Sequence, residues 1–407
     1  MSELKVEIDP AEVGLDSSRL DRLEGYLQGY VDAGRLPGYL VAVTRRGQLG
    51  YLASGGYRHV EDQLPVETDT LFRIYSMTKP ITSVAAMMLF EAGGFELNDP
   101  ISRFLPAFAD TRVFVAGSDL KPVTVPAGEP IRVRHLLTHT SGLTYGFHRS
   151  TAVDAMYRAA GYEWSTPPGL DSAAVCDQWA SFPLLFQPGS EWNYGVSTDV
   201  LGRLVEVLSG QSLAAFFAER ICGPLEMTDT SFGLDHPTDR LSRLYLALPD
   251  GMTPGDELGT AVPRPDFQSG GGGLLSTCHD YHRFTQMLLG GGELDGVRLL
   301  SPRTVAFMTR NHLPGGADLE SYGRPLYAET PLRGVGFGLG FSVVLDPVRY
   351  GTLASVGDYG WGGAASTAFW VDPAEELTCL FFTQLLPSSA LPIRTSLRQL
   401  VNSALVD

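Results

Sequence analysis

Cysteine is scarce, and none of it is arranged for chemistry. Cys176, Cys222, Cys278 and Cys379 are widely scattered, with no C-x-x-C pair and no metal-ligand spacing. That argues against a disulfide framework and a zinc site, and leaves four small core residues. Basic charge is also short: 30 Lys and Arg stand against 46 Asp and Glu, a net charge of −16. Such a field repels phosphate backbones and anionic lipid surfaces, so neither nucleic acid nor a membrane is an expected partner. No apolar run approaches the ~18 residues that span a bilayer. Glu3, Lys5, Glu7 and Asp9 stand where a signal peptide would need an apolar core, so the expectation is a cytoplasmic protein. There is no G-x-S-x-G, which removes the nucleophile of a conventional α/β-hydrolase, and there are no internal repeats. What is left, 44% hydrophobic and 19% charged over 407 residues, is ordinary globular composition.

Both chain ends offer the same parts. Leu20, Leu23, Leu27, Tyr30 and Val31 recur at helical spacing after Ser17 and Ser18, and Gly34 and Pro37 close the pattern. YLVAVTR (39–45), a turn at Arg46 and Gly47, and QLGYLASGGY then read as two antiparallel strands. Near the other end, 364–372 and 377–385 are β-rich, and Ile393, Leu397, Leu400, Val401 and Leu405 mark a final helix. Between them, residues 81–270 alternate helical runs with Pro- and Gly-rich loops. The expected architecture is α/β: an antiparallel sheet covered by helices, built from residues 1–80 and 271–407. A mainly helical second domain, 81–270, interrupts it, with a cleft between the two.

Ser76-Met77-Thr78-Lys79 is the sharpest local signal, because residues three apart on a helix share a face and the amine can reach the hydroxyl. Pro80 cannot follow a full helical turn, so the helix must begin very near Ser76, leaving its first amides free to hold a tetrahedral oxyanion. The same positive end, with Val84, Ala85, Ala86, Met87 and Met88 behind it, disfavours a charged Lys79, which can then accept the serine proton. Tyr194 is expected on the loop before a helix capped by Ser197 and ended by Gly210, where its phenol can relay a proton. Gly360-Trp361-Gly362-Gly363-Ala364 precedes a β-rich run, and the Ala364 amide is a candidate second oxyanion donor. His135 and His139 are spaced for a zinc helix, but position 136 is Leu rather than Glu, so they read as structural. The glycines at 270–273 read as a cleft-lining or tight-turn segment, and Asp199 and Asp358, which flank the motifs and could orient them, read first as solvated carboxylates.

At these points the sequence resembles the serine β-lactamase and penicillin-binding-protein superfamily, most closely the class C β-lactamase-like carboxylesterases called family VIII esterases. The resemblance extends to IRVRHLLTHTSGL (131–143), FQPGSEWNYG (186–195), CGPLEMTDTSF (222–232) and GGGLLSTCHDYHRF (271–284). It implies a β-lactamase-like fold with Ser76 as acyl-accepting nucleophile and Lys79 and Tyr194 as its proton-handling partners. It puts Trp361 where the family carries Lys-Thr-Gly or His-x-Gly, a cation that helps hold a substrate carboxylate. The family's Tyr-x-Asn is here Tyr194-Gly195-Val196, so Val196 gives an apolar wall in place of an amide. Both departures favour neutral acyl substrates. Trp361, Gly362, Gly363 and Val196 are therefore the expected substrate-binding residues. The expected activity is hydrolysis of short-chain carboxylic esters through an acyl-enzyme on Ser76, with a small-molecule ester as partner and no metal or organic cofactor. The alternatives are a β-lactamase or D-Ala-D-Ala peptidase, or an acyltransferase or amide hydrolase on the same scaffold.

Overall fold

Strands contributed by both ends of the chain meet in one sheet. The structure, a computed structural model, describes residues 4–164, 166–256, 264–324 and 332–407. Its main sheet has eight strands: β1 (Gly38–Arg45), β2 (Gln48–His59), β3 (Leu64–Pro65), β4 (Val335–Phe337), β5 (Ser342–Val344), β6 (Tyr359–Gly362), β7 (Ala368–Asp372) and β8 (Leu377–Phe382). The order is β4-β5-β6-β7-β8-β1-β2-β3, all neighbours antiparallel. The chain ends join where β1 pairs with β8, in the register Leu40↔Phe382 to Arg45↔Leu377.

Alternation along these strands feeds two cores. Tyr39, Val41 and Val43 of β1, with Cys379 and Phe381 of β8, pack on α1 (Ser17–Asp32) and the final helix. Leu40, Ala42, Leu380 and Phe382 face the other way, into a larger core shared with α2 (Thr78–Glu91), α3 (Ser197–Ser209) and α4 (Cys278–Leu289). The final helix is α5 (Ile393–Ser403). The four cysteines are buried and unpaired. The region between α2 and α4 also carries hairpins, Arg112–Gly117 with Pro122–Pro126 and Tyr245–Leu248 with Gly251–Pro254. Among the described residues no single helix is long and apolar enough to cross a membrane. The bent pair Ser197–Ser209 and Leu213–Cys222 passes that test only by length and composition.

Local details depart from expectation. The Asp16 carboxylate caps α1 by accepting from the Arg19 amide, one residue ahead of the serines. Ser197 is the first residue of α3 rather than its cap, because its hydroxyl is drawn to Ser141 at 2.8 Å. Gly210 does end α3, with φ 70°. The strand expected from residue 364 begins at Ala368, and Tyr359–Gly362 forms a strand of its own, so Gly363 and Ala364 lie in the β6-β7 turn.

Candidate active site

Ser76 sits at the mouth of α2. Tyr75–Met77 forms a single 3-10 turn that runs directly into the helix, with first backbone bonds from Met77 to Ile74 and from Thr78 to Tyr75 and Ser76. The Ser76 amide thus precedes the first bond, the place where a helix start leaves donors free. Tyr75 holds φ 43°, in the left-handed region that a bulky residue adopts only when its surroundings force it. Its ring is packed by Leu244, Ala365 and Leu386, and Ile74 is tied by its amide to the Leu274 carbonyl.

Lys79, one turn on, is 2% exposed. Its Nζ contacts the Ser76 hydroxyl at 3.2 Å, the Tyr145 hydroxyl at 3.1 Å and the Gly271 carbonyl at 2.6 Å. It also stands over the ring faces of Tyr194, 4.5 Å from the centroid, and Tyr145, at 5.4 Å. Ser76, Lys79 and Tyr194 therefore converge as expected, with one correction. The ring of Tyr194, rather than its hydroxyl, faces the amine. That hydroxyl accepts from the Trp361 indole N–H at 3.2 Å. The phenol whose oxygen meets Lys79 belongs to Tyr145.

Tyr194 is locked from several sides, by Trp361 (centroids 5.4 Å apart), Tyr145 (5.4 Å) and His139 (4.9 Å). His139 lies beyond the helix Val133–Leu137 that carries His135, so the two imidazoles share no helical face. The His139 carbonyl accepts from the Asn193 amide, fixing the Tyr194 loop. Burial, then the Lys79 charge, holds the His139 ring well below the ordinary histidine range. Burial pushes His135 down to about 4.

Opposite Ser76, the β6-β7 turn presses against the 74–76 segment. A Cβ on Gly363 would lie 2.5 Å from the Ile74 carbonyl oxygen, so glycine is required for this approach. The Gly363 amide is spent on Thr367, whereas the Ala364 amide donates to no partner among the described residues. Trp361, Gly362, Gly363, Ala364 and Val196 all line one cavity with Ser76 and Tyr194, about 1170 Å³ in volume. Most of its wall is apolar, with Tyr145, Phe147, Trp179, Phe267 and Phe369 prominent.

Asp199 and Asp358, expected in solvent, are 5% and 0% exposed. The Asp199 Oδ1 accepts from the Ser269 hydroxyl at 2.5 Å and from the Gly271 amide at 2.9 Å. Burial raises its carboxyl above the usual carboxylate range, against the opposing pull of Lys79, Ser269 and Gly271. Sequence reasoning missed Tyr145 and placed Asp199 in solvent, where the structure buries it. Their signals were faint: Tyr145 follows the 131–143 block by two residues, and Asp199 shares α3 with the apolar stripe.

A family model described as Beta-lactamase matches residues 23–402. Protein Rv1367c of Mycobacterium tuberculosis (strain H37Rv) is 37% identical over 374 residues, 90% of each chain. Esterase EstB of Burkholderia gladioli is 30% identical over 400 residues, 92% of this chain and 93% of its own. Among solved structures, EstCE1, described as a hydrolase with promiscuous acyltransferase activity, superposes with a TM-score of 0.79 at 27% identity, covering 96% of this chain and 99% of that one. A serine, a lysine and two phenols at the mouth of one helix, in a chain matched almost end to end, leave no ambiguity of kinship: the protein belongs to the Beta-lactamase family.

Proposed function

We propose that the protein is a serine hydrolase of carboxylic esters, carrying the acyl group on Ser76. The observation that bears most weight is the buried Lys79 amine 3.2 Å from the Ser76 hydroxyl, beside a large apolar cavity. As Ser76 Oγ bonds to the ester carbonyl carbon, its proton passes to Lys79 Nζ and the carbonyl π pair moves onto oxygen. That oxygen rests on the Ser76 and Ala364 amides. When the tetrahedral adduct collapses, the bond to the alkoxy oxygen breaks and the alcohol leaves with the proton that Lys79 Nζ took from Ser76, while the Tyr194 hydroxyl, on the Trp361 side of the cavity, hydrogen-bonds the departing oxygen. Water then releases the acid and returns a proton to Ser76.

Trp361 and Val196 support neutral substrates, since neither offers a charge or an amide to a β-lactam or peptide. The cavity has room for a bulky alcohol behind a short acyl group. The test compares kcat/KM for p-nitrophenyl butyrate with that for nitrocefin: the ester is expected to win by about 100-fold or more, a gap of about 2.7 kcal/mol. Preference for nitrocefin would overturn this reading. A second reading, acyl transfer to an alcohol, is favoured by the likeness to EstCE1. It predicts that an added alcohol accepts the acyl group faster than water does.

A further inference from the structure

We infer that Asp199 is a positioning residue for Lys79, holding the amine on Ser76 through Gly271 and Tyr145 and balancing the charge the amine acquires. The inference rests on the reading of Ser76 and Lys79 as the reacting pair.

The connection is short and buried throughout. From α3, the Asp199 carboxylate grips the Gly271 amide at 2.9 Å, and the carbonyl of that same residue accepts from Lys79 Nζ at 2.6 Å. The carboxylate lies so close to this backbone that a Cβ at position 271 would stand 2.3 Å from Oδ2. Only glycine admits the contact. Ser269 satisfies the carboxylate further at 2.5 Å. The Tyr145 hydroxyl, 3.1 Å from Nζ, also lies beside Asp199. Burial, then that negative charge, keeps the phenol well above its ordinary value, so it remains a neutral hydroxyl.

A carboxylate is expensive to bury unless it has a compensating cation or donors. Asp199 has the donors, and the nearby cation is Lys79 once it has taken the serine proton. The groups facing Lys79 are Ser76 ahead of its own helix, His139 and Tyr145 after Val133–Leu137, Tyr194 and Asp199 around the start of α3, and Gly271. Of these Asp199 is the one carboxyl group; burial holds the His139 ring well below the ordinary histidine range and the Tyr145 phenol well above its own. Cys176, the titratable group that approaches Asp199 from helix Ser172–Ser181, is a thiol pushed well above its usual range by burial.

The test is the pH profile of kcat/KM on p-nitrophenyl butyrate for Asp199→Asn, which keeps the shape and the acceptor for Gly271 but removes the charge. The variant no longer presents a carboxylate toward the amine beside Ser76. The acid limb is therefore expected to move about one unit or more toward lower pH, while kcat/KM at pH 8 falls by about 10- to 100-fold. An acid limb at the wild-type position would overturn the inference. Should Asp199→Asn fail to fold, Tyr145→Phe decides: kcat about tenfold lower at unchanged KM supports the arrangement, and kcat within twofold of wild type overturns it. Fluorophosphonate labelling of the wild type separates the two levels. Absence of an adduct on Ser76 would sink the proposed function itself, whereas an adduct with an unmoved profile sinks only the role of Asp199.

Discussion

Two of the buried carboxylates, Asp199 at the cleft and Asp358 beneath the final helix, sit in settings that differ in kind. Asp358 is 0% exposed, directly paired with Arg398 of α5, which in turn lies over the Trp370 ring at 4.8 Å. Burial pushes Asp358 up to about 6 against that partner, and its second oxygen has no hydrogen-bond partner among the described residues. Asp199 has no direct cation. It holds the amide of Gly271, whose carbonyl meets the Lys79 amine beside the Ser76 hydroxyl. A direct, closed pair ties two elements together, whereas a carboxylate one residue removed from a reactive amine can tune that amine without quenching it. The first arrangement is a fastening, and the second belongs to the reaction site that the proposed function requires.

Substitutions should separate these regions by what they change. The largest effect is expected for Ser76→Ala, which should lower ester turnover by about 10⁴-fold or more while leaving the thermal midpoint where it was. Turnover within tenfold of wild type would remove the serine from the scheme. Tyr194→Phe keeps every ring contact but frees the Trp361 indole, and kcat/KM should drop by about 100-fold; an unchanged rate would take Tyr194 out of the leaving-group step. At the other carboxylate the signs reverse. Arg398→Ala leaves Asp358 buried and alone, at a cost of about 3–5 kcal/mol in denaturant unfolding. The surviving folded fraction should keep its kcat, and equal stability would show the pair to be dispensable.

The smallest effect is a pH dependence of stability remote from both carboxylates. Burial holds His282 and His135 down at about 4, and His282 Nε2 contacts the Thr44 hydroxyl at 2.7 Å. The unfolded chain takes up these protons near pH 6.5 and the folded chain does not, so stability is full above 6.5 and declines as pH falls toward 4. Urea midpoints at pH 4.5 and 7.5 measure the decline, and His282→Asn should reduce it, leaving the share of His135. A decline of the same size in that variant would assign it to other groups.

Much of this was legible in the sequence. The β-rich runs 39–45 and 377–385 coincide with strands Gly38–Arg45 and Leu377–Phe382, buried on both faces, and α1 and α5 fall where apolar spacing put them. Lys79 stands out because the chain has only Lys5, Lys79 and Lys121 as lysines, and this one alone is followed by an apolar run. Pro80 placed the start of α2 correctly, since its ring forbids a preceding helical turn. What spacing could not reveal was which atoms of a side chain point where. Tyr145 and Tyr194 are both tyrosines on loops, and only their packing, Trp361 and His139 against Tyr194 and Phe147 and His148 against Tyr145, presents the ring of one and the oxygen of the other to the amine. Asp199 looked like a solvated residue beside the apolar stripe of α3. Its burial depends on the glycines at 270–273 lying against that helix, a contact between segments some 70 residues apart in the chain.

The most direct test of the central claim is rapid acid quenching of the protein with p-nitrophenyl butyrate, followed by peptide mapping. A single butyryl group on the peptide containing Ser76, appearing in step with the burst of p-nitrophenol and absent from Ser76→Ala, is the predicted result. Steady ester hydrolysis with no acylated peptide, or with the acyl group on another residue, would contradict it.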